Sequence, residues 1–129
     1  MSEEEFWGFY RKIESVAHSS LEEFVHSDEL LNQAIEGIRG CLLVVEGEAR
    51  WLAEKMGLNA DGSIVELSWT LAKAHVISPK ILDDLEDVYR ISQKKVDRLT
   101  VYSALIKSME VVEALWSSIK AQLDKLASH

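Results

Sequence analysis

With 129 residues, 47% of them apolar and 28% charged, one Pro and six Gly, the chain has the make-up of one folded domain around a single core, neither disordered nor long enough for two. Its net charge of −8 is uneven: residues 1–61 hold 13 acidic and 5 basic side chains, residues 62–129 nine of each. That argues against a broad nucleic-acid face, which needs positive potential.

In chain order, the first predicted helix covers about residues 3–25. Ser2 and Glu5 have the capping-box spacing, and Phe6, Tyr10, Ile13, Ala17, Leu21 and Phe24 share a face. Ser27, followed by Asp28 and Glu29, reads as the start of a second helix. There Leu31, Ile35, Ile38, Leu42, Val45, Ala49, Leu52 and Met56 alternate steps of three and four, the spacing of a bundle seam. A parallel stripe of Gly37, Gly40, Val44, Gly47 and Trp51 implies a close neighbour, since each helical glycine costs about 1 kcal/mol against Ala. Residues 57–62 read as a loop, and Ser63 with Glu66 forms a second capping box. The helix over about 64–75 is apolar on two sides, with Ile64, Leu67, Leu71 and Ala74 on one and Val65, Trp69, Ala72 and Val76 on the other. Ser78-Pro79 opens the next helix, whose buried side should be Ile81, Leu82, Leu85, Val88, Tyr89, Val96 and Leu99. The last carries the seam Tyr102, Leu105, Met109, Val112, Trp116, Ile119, Leu123 and Leu126. Without strand-like alternation, the expected fold is all-α: an up-and-down four-helix bundle with an additional short helix, in one domain over residues 1–129.

The order Ser-Ile-Val-Glu-Leu from 63, Val-Ile-Ser-Pro-Lys-Ile-Leu at 76–82, Tyr-Arg-Ile-Ser-Gln-Lys-Lys-Val-Asp-Arg at 89–98 and then a long helix resembles the second half of the HEPN family. That family comprises helical bundles that include many RNA-cutting toxins and their inactive relatives. The resemblance implies an Arg followed shortly by a His that moves the ribose proton, with two such motifs meeting across a dimer. Arg90 stands at the Arg position; Lys95, Val96 and Asp97 stand where the His should follow. A lysine, protonated at neutral pH, can hold phosphate but is a poor general base. The expectation is a degenerate HEPN-like, non-catalytic module for binding or assembly, linked to an RNA- or nucleotidyltransferase-related system, and more plausibly not an enzyme. Arg90, Lys94, Lys95 and Arg98 form the candidate phosphate- or RNA-binding patch, with weak and salt-dependent affinity. The plain reading of the same residues is a solvated face with the i,i+4 pair Glu86–Arg90.

An alternative class rests on carboxylates. Asp83, Asp84 and Asp87 have the spacing of the Glu-Glu-x-x-Glu motif of MazG-type nucleotide pyrophosphohydrolases, which use Mg²⁺. Asp83, Asp87, Glu110 and Glu113 would be the ligands if the last two helices fold back on each other. Chance clustering in an acidic chain is the competing explanation. His18, His26, His75 and His129 share no metal-ligand spacing, and no cofactor is expected. Cys41, the one cysteine, reads as a small core residue. A homodimer is expected, alongside a role for a protein partner, with Gly37, Gly40, Gly47, Trp51 and Trp69 at the interface, because extra apolar faces need a partner. The acidic N-terminus is the reverse of a secretion signal and the longest apolar run, Cys41 to Val45, cannot span a bilayer, so a cytoplasmic protein off the membrane is expected.

Overall fold

Ser27 acts as its position predicts. In the computed structural model, which describes residues 2–128, its Oγ accepts the Leu30 N–H at 3.1 Å and starts the longest helix of the chain. Along that helix Ile35, Ile38, Leu42, Val45, Ala49 and Leu52 are buried, as their spacing requires, while Leu31 and Met56 at its ends are partly covered. Numbering the helices in chain order, α1 is Ser2–Ala17, α2 Leu21–Val25, α3 Asp28–Lys55, α4 Ile64–Lys73, α5 Leu82–Ser92, α6 Arg98–Ser103 and α7 Leu105–Ala127. A single 3-10 turn, Pro79–Ile81, leads into α5, with Ser78 Oγ accepting the Lys80 N–H at 3.3 Å. No strand occurs among the described residues.

The four longer elements α1, α3, α5 and α7 make an up-and-down bundle. Lys12 of α1 meets Glu36 of α3 at 2.7 Å while Phe9 meets Gly40, so these two helices run antiparallel. Phe6 stacks on Trp116 with ring centroids 4.7 Å apart, placing α7 antiparallel to α1. Ile81 and Asp84 lie beside Glu110 and Ala114 while Asp87 and Ile91 lie beside Lys107 and Ala104, so α5 is antiparallel to α7 and hence to α3, to which Arg39 ties it by donating to Ser92 O. The additional helix, α4, packs on α3 and α5 through Ile64, Leu67 and Leu71. Cys41 is fully buried beneath α1, where its thiol donates to Phe6 O at 3.6 Å; burial pushes its pKa up to about 12.

Three sequence expectations need correction. The first helix does not reach residue 25; it ends at Ala17, and Ser20 starts the separate α2 with a full capping box, Glu23 N to Ser20 Oγ at 3.1 Å and Ser20 N to Glu23 Oε1 at 2.9 Å. Leu21 is consequently exposed rather than on the core face. Ser2 is already helical, so the position before it, where a cap would sit, lies outside the described residues. The helix opened by Ser78-Pro79 likewise stops at Ser92. Lys94 takes a left-handed backbone (φ 60°), and Asp97 caps α6 by accepting the Thr100 N–H at 2.8 Å. Leu99, expected in the core, is 58% exposed.

Candidate interaction surfaces

The basic patch is dispersed by the turn that ends α5. Arg98 points back to the α2–α3 junction, donating to Phe24 O and Ser27 O at 3.1 Å each and pairing with Asp28. It is a clamp between distant parts of the chain, not a free cation. Arg90 is exposed and lies 3.9 Å from Asp87, and Lys94 and Lys95 project from the turn. Arg90 and Lys107 line a notch of about 310 Å³ with Thr100 and Ser103, but Asp87 lies within 4 Å of both and, with Asp84 beside Lys107, balances their charge. Asp97, one of the positions where a His would stand, is held below the ordinary carboxylate range because Thr100 donates to it from backbone and side chain. Its role is to begin a helix.

The carboxylates do not assemble either. Among the described residues no three His, Cys, Asp or Glu side chains converge to hold a metal ion. Lys107 stands among these carboxylates, 3.5 Å from Asp84 and 3.7 Å from Asp87, and lines a cleft with Asp84 and Glu110. Glu113 lies near enough to Tyr10 of α1 for its charge to act there, as does Glu110. Tyr10 there has its pKa raised, chiefly by burial and then by the charge of Glu113 and Glu14. The expected site of Asp83, Asp87, Glu110 and Glu113 is thus split between an ion-paired surface and the α1–α7 contact.

The glycine stripe divides as well. A Cβ on Gly37 would lie 2.8 Å from Ile13 Cγ1 and from Phe9 O, and one on Gly40 would overlap the Phe9 ring. These two residues admit α1 of the same chain, so the close approach they allow is made within the chain, with Gly40 also bordering a trough beyond Phe9. Gly47 differs: an added Cβ meets nothing within 4 Å. It lies in an open trough of about 730 Å³ between α1 and α3, whose apolar lining is Phe9, Val44, Leu43 and Trp51, the last two being 61% and 50% exposed. Ser2 and Glu5 line it from α1, Glu48 from α3. Lys55 sits 5.0 Å above the Trp51 ring. Leu43 was missing from the expected interface, although it lies four residues before Gly47 and off the buried Leu42–Val45 seam, which is the signal that could have found it.

Trp69 is 45% exposed on the outer side of α4, next to the partly covered Val65 one turn earlier. Behind it α4 is fixed in place by α3. Glu46 accepts the Ile64 N–H at 3.1 Å and pairs with Arg50, which itself donates to Ala60 O and Gly62 O. No described helix is long and apolar enough to cross a membrane. No family model matches the chain, and neither the curated proteins nor the solved structures contain a match.

Proposed function

We propose that this chain is a non-catalytic, HEPN-like helical module that acts by binding and assembly as a homodimer, within an RNA- or nucleotidyltransferase-related system in the cytoplasm. Trp69 carries the self-association part of this reading. One side of α4 is spent on the core through Ile64, Leu67 and Leu71, yet the opposite side leaves a half-exposed indole in water. Indoles rank among the side chains that contribute most at protein interfaces, and covering the exposed half would contribute about 2 kcal/mol per copy. A two-fold contact lets the same patch complete itself. The non-catalytic part is supported by the fate of residues 94–98. Lys94 makes a turn, Asp97 caps a helix and Arg98 clamps the α2–α3 junction, so no general base follows Arg90.

Sedimentation at micromolar concentration tests the dimer. Wild-type protein should run at twice its 14.6 kDa chain mass, and Trp69→Ser should run as a folded monomer. A monomeric wild type would sink the dimer. For the second part, incubation with single-stranded RNA and no metal should leave the RNA intact. Cleavage that is lost in Arg90→Ala would overturn the non-catalytic reading.

A further inference from the structure

We propose that the open trough between α1 and the second half of α3 is a docking site for a basic amphipathic helix of a partner protein. It lies apart from the Trp69 face and does not depend on self-association there.

Shape comes first. From Gly40 to Trp51 the trough follows α3 for about 16 Å, room for about three turns of a helix laid along it. Leu43, Gly47 and Trp51 are spaced by four, so they form one ridge of α3 with a gap in the middle. Gaps in such ridges are where a side chain of a crossing helix seats. Gly47 is that gap, since among the described residues no atom lies within 4 Å of a Cβ built there. Small molecules bind in concavities that bury most of their surface, which a trough open to solvent along its length does not do.

Charge then selects the occupant. Glu5 stands on the α1 wall and Glu48 on the α3 wall, and among the described residues the lining itself holds no cation; of the lysines beside it, Lys12 over Phe9 is paired with Glu36 and Lys55 stands over Trp51. The neighbouring first turn of α1 adds Glu3 and Glu4. A second copy would bring the same acidic walls against these, and like charges brought together at a contact are unfavourable. A helix with Leu-like residues on one face and Lys or Arg on its flanks satisfies both floor and walls. Lys55 over Trp51 already displays the kind of contact a partner cation could make with this indole.

The test uses a fluorescently labelled synthetic peptide of Leu and Lys arranged as an amphipathic helix, with two controls: a Glu-for-Lys peptide and a scrambled Leu/Lys peptide of equal charge. Fluorescence anisotropy against the full chain should show binding of the first peptide only, weakening as salt is raised. Gly47→Leu starts its side chain at a Cβ with no described atom within 4 Å and fills the gap, so it should weaken binding at least about tenfold while the melting temperature holds or rises. Trp51→Ala should weaken binding as well, and is read in its place if Gly47→Leu does not fold. Glu5→Lys with Glu48→Lys should exchange the preference for the Lys peptide for one for the Glu peptide. The proposal is overturned by equal binding of the scrambled peptide, by no binding up to about 100 µM, or by affinity indifferent to both trough variants. It also fails if Gly47→Leu turns a dimer into a monomer, for then the occupant is a second copy. A wild-type monomer that binds the peptide would end the dimer reading alone.

Discussion

The two halves of α3 carry glycines on one stripe, yet Gly37 and Gly40 are sealed under Phe9 and Ile13 of α1 whereas Gly47 faces open space beside Leu43 and Trp51. The residue type is the same and so is the helix. What differs is the neighbour: α1 fits closely against the first half through Lys12–Glu36 and the Phe9–Gly40 contact, and leaves the second half uncovered on one side. A glycine on a helix therefore marks a place where a backbone or side chain can come close, and the surrounding fold decides whether the visitor comes from within the chain or from outside.

Substitutions should separate the two halves sharply. Gly40→Leu would force its side chain into the Phe9 ring, and we expect a loss of about 3 kcal/mol in denaturant unfolding; wild-type stability in that variant would mean α1 is not seated as described. Next in size is Arg98→Ala, which removes two guanidinium hydrogen bonds, to Phe24 O and Ser27 O, from carbonyls that keep only backbone donors such as Ser27 N–H and Leu31 N–H, and unties the start of α3 from α6. About 2 kcal/mol should be lost in the same measurement. Gly47→Ala runs the other way. With nothing in reach of the added methyl, the helix should gain about 1 kcal/mol, and a destabilised variant would show that the second half of α3 is covered after all.

Acid should act on the caps around the start of α3. Hydrogen bonds to Glu23 and Asp97, chiefly from backbone N–H groups, hold both carboxyls below their ordinary range, so each stabilises the fold above its unfolded pKa. That contribution fades as pH falls through the lowered folded value. Thermal melts of Asp97→Asn should therefore fall below wild type at neutral pH and converge with it in acid, once the pH has passed below the lowered folded value. The smallest effect belongs to Arg90→Ala, expected within about 0.5 kcal/mol of wild type because Arg90 is exposed and its pairing with Asp87 is long. A larger loss would make Arg90 a second clamp like Arg98.

Those outcomes also mark what the sequence could reveal. The buried seam of α3, the middle of that of α7 (Tyr102 falls on α6 and Leu126 is exposed) and the helix starts at Ser27, Ser63 and Ser78 are legible because spacing and capping are local, carried by residues within a few positions of one another. The Ser20–Glu23 box is equally local, but the apolar face of α1 runs on in phase into Phe24 and hides the break. The stop at Ser92 had no such local sign, as no Gly or Pro stands there, and apolar positions at Val96 and Leu99 continued the pattern. Arg98, Arg50, Glu46 and Lys107 owe their roles to partners on other elements or across a loop, in the case of Arg98 more than seventy positions away. Which half of the glycine stripe stays open depended on the same long-range placement.

Cys41 gives that placement a clock of its own. Its thiol lies beneath α1, bonded to Phe6 O, and burial keeps it protonated far above neutral pH, while alkylating reagents attack only an accessible thiolate. The rate at which this single sulfur is alkylated in native buffer therefore counts how often the first helix lifts from the third. A ligand in the trough, touching α1 and α3 together, would slow the count without touching the sulfur.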